Sequence, residues 1–493
     1  MNSYRRFVEK LTRRLPLLVL LFCVLQPLLD VIGYWQQVWG LSNLPTMLVR
    51  LCLLLIGLLL GFAVTDRKWL YFSLAALLFC YLSGHICACV QNGGYLNWEQ
   101  DLTDQARTLV LPVTALSMIS LLRKNPDCFG ALKKGLMLDL GIILAVELLS
   151  LVTGTDPHTY EEKGIGLRGW FVWTSPQSAI LSILAPLAVA WALERWPDRI
   201  LPVTGAALLS FGTLYFYGTR LAYLSLAAAG LGMAAAILLS DRRRWRQALA
   251  VFLCAGLFCA LYPVSPMQRN RSAVEANAKI KQERVSAAAA RFGVEGDEIH
   301  TENSEALSAA YHYNLQGMVD TFGLERVAER YHNTLKADQI CDDRLMKLNY
   351  CSLAMEDAAR NTGLAPLFGL EIARTRVEQT QVYRFETDDW ATEAESYDPE
   401  NDFYGVRYLC GWAGLLLLGA LLLWIGLRAL LALATRWKTT FSPTYAAWLG
   451  AFAIAVAYAF GTASVLRRNN ASVYLALVLA GLWHLSRRSA KKE

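Results

Sequence analysis

The sequence predicts an all-α fold: a polytopic membrane helix bundle of about 12 spans with one large, mostly helical loop on the extracytoplasmic side. Three observations lead there. Several apolar runs reach roughly 18–20 residues, the length a helix needs to cross a hydrocarbon core of about 30 Å. Charged residues make up 18% of the chain, against about 25% in a typical soluble domain. The charges are also segregated. Residues 265–404 hold 25 acids and 15 bases, a balance of −10, while the rest of the chain stands at +16.

The first apolar run follows MNSYRRFVEKLTRR and could pass for a signal peptide. It is long and lacks a small-residue cleavage site, so a retained first helix is expected. The spans then fall at about 15–35, 47–64, 70–91, 107–122, 136–154, 177–195, 200–216, 220–240, 248–264, 405–427, 446–464 and 472–486. Short cytoplasmic loops collect Lys and Arg. Arg5 to Arg14 therefore put the N-terminus inside. Alternation then puts inside Arg67-Lys68, Arg123 to Lys134, Arg195 to Arg199, Arg242-Arg243-Arg244, Arg428 to Lys438 and Arg487 to Lys492, all basic. Arg467-Arg468, outside in this scheme, is the one exception. Bases confined to short loops are a topology signal and do not form a nucleic-acid surface.

The organisation expected is membrane domain 1–264, extracytoplasmic loop domain 265–404 and membrane domain 405–493. A loop of this length is too long to be structureless. Ser272–Arg291 and Arg344–Arg360 have helical composition, punctuated afterwards by Gly363, Pro366 and Gly369, so a small helical cap is expected. Of 11 cysteines, Cys87 and Cys89 read as small core residues. Cys341 and Cys351 lie in the loop, where either a disulfide or two reduced thiols would fit.

Arg168 in GLRGWFVWTSPQ and Arg220 in FYGTRLAY both fall at the expected outer ends of spans. Such an arginine either anchors the helix at the interface or binds an anion, since a guanidinium fork suits phosphate oxygens and keeps its charge. Candidate proton acceptors are His332 in the loop and Glu400 and Asp402 just before the tenth span. The alternative for each is a solvated group, on a loop helix for His332 and in a pre-membrane turn for Glu400 and Asp402. Asp30, inside the first span, is a functional candidate or a packing partner for an arginine.

These patterns together resemble the O-antigen ligase and O-antigen polymerase superfamily of bacterial polytopic membrane glycosyltransferases. Arg168-Gly169-Trp170-Phe171 with Ser175-Pro176-Gln177 looks like that family's Arg-x-Gly-x-Phe and Asn-Pro-Asn, with Ser and Gln in place of the two Asn. Gly218-Thr219-Arg220-Leu221-Ala222 resembles its Gly-Ser-Arg-Gly-Ala. Leu364 to Gly369 resembles its Pro-Leu-x-Gly stretch. Asn401-Asp402-Phe403, with Gly411 and Gly414, resembles its His-Asn-x-Phe-Leu and Gly-x-x-Gly segment. Glu400 stands where that family has His. The chain's own His-Asn pair, His332-Asn333, lies 70 residues before the Asp402 segment.

The resemblance implies a glycosyltransferase of the bacterial cytoplasmic membrane; metal independence is expected from the absence of a metal-ligand cluster, and both termini are expected to be cytoplasmic from the charge pattern. The resemblance also implies transfer or polymerisation of a glycan from an undecaprenyl-diphosphate-linked donor to a glycan or envelope acceptor hydroxyl. Arg168 and Arg220 would bind the diphosphate, and Glu400, Asp402 or His332 would take the proton. The sequence holds no Walker loop and no metal-ligand cluster, so no cofactor is expected. The rival from another class is a transporter or lipid flippase for an envelope precursor, although no pair of related halves with matching broken helices is evident. A structural partner whose charges are only topological is a third reading.

Overall fold

The computed structural model describes residues 2–290, 315–332, 336–384 and 389–488. The first eight helices are α1 (Asn2–Val38), α2 (Leu44–Val64), α3 (Trp69–Gln91), α4 (Trp98–Lys124), α5 (Asp127–Val152), α6 (Thr174–Arg195), α7 (Ile200–Tyr217) and α8 (Arg220–Ser240). Then come α9 (Trp245–Ala260), α10 (Pro266–Ala290), α11 (Gln316–Phe322), α12 (Leu324–Arg330), α13 (Asp343–Asn361) and α14 (Ala365–Phe368). A β-hairpin follows, β1 (Arg376–Arg384) and β2 (Asp389–Ser396), then α15 (Asp402–Thr435), α16 (Pro443–Gly461) and α17 (Asn469–Arg488).

The protein is a polytopic helical membrane protein. Among the described residues ten helices, α1 to α8, α15 and α16, are long and apolar enough to span a bilayer. The other two expected spans are helices that fall short of this. α9 has only 16 residues, and α17 opens on Asn469-Asn470 and carries His484 and Arg487.

The chain divides into two compact units. The first comprises Met1–Leu77, Ala106–Asn270 and Leu416–Glu493; the second comprises Leu78–Gln105 and Arg271–Leu415. α6 is the axis of the first unit, with nearly every side chain buried against α7, α8, α16 and α17. Its Ser178 and Ser182 hydroxyls lie 2.7 and 2.9 Å from the Tyr458 hydroxyl of α16, a polar contact typical of helices that pack in lipid. Small residues allow close approach: a Cβ on Gly230 of α8 would lie 2.2 Å from the Ala255 Cβ of α9. α2 buries only Thr46, Gly61 and Val64, the profile of a helix facing lipid along most of its length.

The second unit has its own core, built on Met318, Val327, Tyr331, Met346, Tyr350 and Tyr397. Tyr350 and Tyr397 stack with ring centroids 4.3 Å apart. The antiparallel hairpin, running from Arg376↔Ser396 to Arg384↔Asp389, adds strand to a region whose composition reads as helical. α15 is interrupted at Gly411, where φ is +61°, and Gly369 has φ +85°. These two left-handed glycines meet each other's segments. A Cβ on Gly369 would lie 2.2 Å from the Leu409 carbonyl oxygen, and one on Gly411 would lie 2.3 Å from the Leu367 carbonyl. Only glycine fits either place, so the Pro366-Leu367-Phe368-Gly369 stretch and the Gly411 kink form one interlocked element, closed by Leu370 N–H donating to the Tyr408 carbonyl at 2.9 Å.

The structure does not bridge Cys341 to Cys351. The Cys351 thiol is buried and donates to the Tyr397 carbonyl at 3.3 Å, and burial pushes the Cys341 thiol up to about 11. Cys89 is buried as expected, but Cys87, two residues away, lies on the opposite face of α3 and is exposed.

Candidate functional site

The first unit builds an arginine-rich end from the loop between α5 and α6. Asp156 organises this loop. Its Oδ1 accepts the backbone N–H groups of Gly169 (2.6 Å) and Arg168 (3.2 Å), and its Oδ2 accepts the N–H of His158 (3.0 Å). His158 adopts φ +60° there, and its Nδ1 donates to the Gly166 carbonyl at 3.0 Å. Leu167 N–H donates to the Phe216 carbonyl at 3.0 Å, tying the loop to the last turn of α7. Gly218-Thr219-Arg220 follows that turn directly, so the two arginine motifs are joined at their backbones.

Arg168 is 11% exposed. Its guanidinium reaches Thr174 Oγ1 at 3.3 Å and Glu161 at 3.5 Å, while its buried Nε–H has no partner. Glu161 is 74% exposed, so the pair is weak and leaves most of the guanidinium charge available. Arg220 is exposed as the first residue of α8, where the helix dipole also favours an anion. Thr219 caps that helix by accepting Ala222 N–H, and its hydroxyl lies 2.6 Å from Ser178 Oγ. The Ser-Pro-Gln motif of α6 thus leads directly into the residue that holds Arg220. Burial raises the Tyr160 hydroxyl and the Arg220 charge lowers it; the net shift is upward, so the phenol remains a hydrogen-bond donor. Lys163 donates to Asn270 at 3.2 Å. Arg468 lies over the Trp173 ring at 4.7 Å, and Arg467 is buried. The pair that departs from the topology rule is therefore engaged in tertiary structure at this end of α6.

Two acids in this unit were not legible as site residues. Glu147 of α5 is 3% exposed, and its Cγ would lie 3.0 Å from a Cβ on Gly169. Asp139, two turns earlier, is fully buried beside Tyr474. An acid inside a span is a functional candidate by its position alone, and that rule, applied to Asp30, would have found both. Asp30 itself accepts from Arg50 at 2.6 Å.

The proton-acceptor candidates belong to the second unit. Glu400 accepts from Lys347 Nζ at 2.8 Å and Arg344 Nε at 3.1 Å. Burial raises its carboxyl, but the hydrogen bonds and charges of Lys347 and Arg344 together outweigh this and hold it below the usual glutamate range. Asp402, the first residue of α15, is fully buried. The helix start is capped by Asn401 Oδ1, which accepts Phe403 N–H at 2.9 Å and Tyr404 N–H at 3.2 Å. His332 is exposed in a turn after α12 with φ +56°; its neighbour Asn333 lies outside the described residues.

The same unit contains a buried polar group that sequence reading missed. His85 Nδ1 donates to the Phe368 carbonyl at 2.9 Å, and its Nε2 lies 3.0 Å from Asp101 Oδ2. Gln105 donates to the Leu409 carbonyl at 3.1 Å and accepts from Tyr81 at 2.6 Å. These contacts satisfy carbonyls at the interlocked glycine element. Glu371, fully buried, accepts the N–H groups of Leu96 (2.7 Å) and Asn97 (2.9 Å). The partners lie up to 283 residues from His85, which is why no local pattern reveals them. Among the described residues no three His, Cys, Asp or Glu side chains are grouped to hold a metal ion.

The fold defines a polytopic membrane protein, whose first unit carries a partly buried Arg168 and an exposed Arg220 on neighbouring segments. Residues 13–308 match the family model described as O-antigen ligase like membrane protein, and the chain belongs to that family. The match includes both arginine motifs and ends before Asp402. Comparison with curated proteins finds no match. Family membership suggests a glycosyltransferase-type enzyme acting in surface polysaccharide assembly.

Proposed function

We propose that the protein transfers or polymerises a glycan from an undecaprenyl-diphosphate-linked donor to an acceptor hydroxyl at the outer face of the bacterial cytoplasmic membrane. Both termini would be cytoplasmic. The observation that carries this reading is the partly buried Arg168, with its unpartnered Nε–H, tied through Leu167 to the segment that presents Arg220. Breaking the bond between the sugar and the diphosphate builds negative charge on the leaving phosphate oxygens. Two guanidinium groups held there by backbone and helix ends stabilise that charge without reorganising. The diphosphate already carries the leaving-group energy, so the step needs no nucleotide.

The attacking hydroxyl loses its proton to a base. Among the three candidates the chemistry favours Asp402. Glu400 is ion-paired and lowered, which makes it a weaker acceptor, and His332 is exposed to solvent. The transporter reading draws on Asp139, a fully buried acid midway along α5, since such acids also serve proton coupling.

A deletion strain tests the reading. The masses of surface glycan and of polyprenyl-linked glycan would be measured with and without the gene. Accumulated lipid-linked single units indicate a polymerase and accumulated lipid-linked polymer a ligase. Unchanged pools of both would remove the proposal. Restoration by Glu400→Gln but not by Asp402→Asn identifies the base.

A further inference from the structure

In the first unit α1 packs against α5. The two touch closely at Gly135, where an added Cβ would lie 2.7 Å from the Cys23 Cβ. Nearer their N-terminal ends Pro16 interrupts the α1 ladder, because it has no N–H for the Thr12 carbonyl. The Asn125 side-chain amide donates to that carbonyl instead, at 3.0 Å, and fixes the start of α5 to α1. Here the helices leave a cavity of about 530 Å³ lined by Pro16, Leu17, Leu20, Gly130, Lys133 and Lys134, with Asp127 also in its wall. A Cβ on Gly130 would meet nothing within 4 Å, so the groove is open where this glycine has no side chain. Its apolar side continues outward, since Leu17, Leu21 and Leu138 are all exposed.

The polar side is basic. Lys133 pairs with Glu194 of α6, whose other oxygen accepts from Thr444. Lys134 is exposed and has no ion-pair partner among the described residues. Arg13 and Arg14, also exposed, stand less than one turn before Pro16. Asp127 is the one acid in the wall. We propose that this groove binds an anionic phospholipid, with the phosphodiester at Lys134 and Lys133 and an acyl chain along Leu17, Leu20 and Gly130. An apolar groove at the depth of the hydrocarbon holds no water, and an acyl chain restores the contacts that its walls lack. Lysines beside a span carry their ammonium groups to the interface, and basic pockets between spans hold anionic headgroups. A zwitterionic headgroup would bring a further cation to a rim that already has four. The site is separate from Arg168. α5 has 26 residues and is about 39 Å long, and the loop carrying Arg168 follows its far end. Nothing in this site depends on glycan transfer.

The test uses detergent-purified full-length protein titrated with dioleoyl phosphatidylglycerol, phosphatidylethanolamine or phosphatidylcholine. Native mass spectrometry counts the lipids retained. The native protein should hold phosphatidylglycerol more firmly than either zwitterionic lipid. Lys134→Gln removes one cation and should weaken phosphatidylglycerol binding about fivefold. Gly130→Leu fills the groove with a side chain that meets no protein atom and improves helix propensity. It should abolish the preference for phosphatidylglycerol, with a melting temperature in lipid-free detergent no lower than that of the native protein. Glycerol 1-phosphate, the soluble fragment of the headgroup, should not displace the lipid. Equal retention of all three lipids by the native protein, or native phosphatidylglycerol binding in both variants, would overturn the site. Phosphatidylethanolamine held as firmly as phosphatidylglycerol would overturn the anionic assignment. Displacement by glycerol 1-phosphate at the concentration of the lipid would assign the groove to free phosphate compounds and overturn the lipid. Should Gly130→Leu not accumulate, Lys134→Gln alone decides.

Discussion

The arginine-rich end of the first unit and the glycine-locked polar core of the second use charge in opposite ways. At the first, charge is left available: Arg168 has one exposed carboxylate neighbour and an Nε–H with none, and Arg220 stands exposed at a helix start. In the second, His85, Gln105, Glu371 and Glu400 are each paired within the protein. His85 connects Asp101 to the Phe368 carbonyl, and Glu400 is shared between Arg344 and Lys347. Satisfied polar networks fix a structure, whereas a buried cation with spare donors is prepared for a ligand. Chemistry accordingly falls to the arginines with spare donors, and architecture to the groups already paired within the protein.

The comparison breaks first at His85. If its network is architectural, His85→Leu leaves Asp101 and the Phe368 carbonyl buried without their partner. Loss of such a pair costs about 3–5 kcal/mol. The variant should melt much lower in detergent and expose the second unit to trypsin, with the first unit still protected. A normal melting curve would assign His85 to function instead.

The glycine lock comes next. Gly369→Ala puts a methyl within 2.2 Å of the Leu409 carbonyl oxygen at a positive φ, at a cost of roughly 2–3 kcal/mol. Gly363→Ala, where the added Cβ meets nothing within 4 Å, should be close to neutral. Equal melting temperatures for the two variants would contradict the interlock.

The smallest effect is expected at Glu400. A carboxylate whose folded value is depressed contributes stability that is fully present above its unfolded value of about 4.5 and is lost as pH falls through the lower folded value. Wild-type protein should therefore lose stability as pH falls below about 4.5, and Glu400→Gln should lose less over the same range. Because the side chain is 41% exposed, solvent screening keeps the difference small. A steeper acid loss in the variant would reverse the sign argued here.

Much of the first unit was legible because membrane spans advertise themselves locally. Apolar length and flanking charge are read within some 20 residues, and eight of the first nine expected spans correspond to helices long and apolar enough to cross a bilayer. The exception, α9, is too short. Arg168 and Arg220 stood out because arginine is costly near a span and both sit beside glycines in recognisable motifs. The second unit was legible only in part. Gly369 and Gly411 were visible as punctuation, but their mutual contact joins segments more than 40 residues apart in sequence. His85 lay inside an apolar run and read as background, since its partners come from α4 and from the stretch before β1. The hairpin was missed because charged residues such as Glu378, Asp389, Glu393 and Glu395 mask β-propensity.

The central claim is that Arg168 and Arg220 hold a diphosphate and do not merely anchor helices. An anchor needs only a long cationic side chain, so lysine should replace it with little loss. A phosphate clamp needs the planar fork, and losing a charge-assisted bidentate contact in a partly desolvated site costs about 2–4 kcal/mol, or roughly 30-fold to 1000-fold in rate. The decisive measurement is the glycan-transfer rate of Arg168→Lys and Arg220→Lys in membranes containing equal amounts of each protein. Normal insertion and a loss within that range are expected for each variant. Wild-type rates in both lysine variants, with alanine variants failing only to accumulate, would contradict that claim.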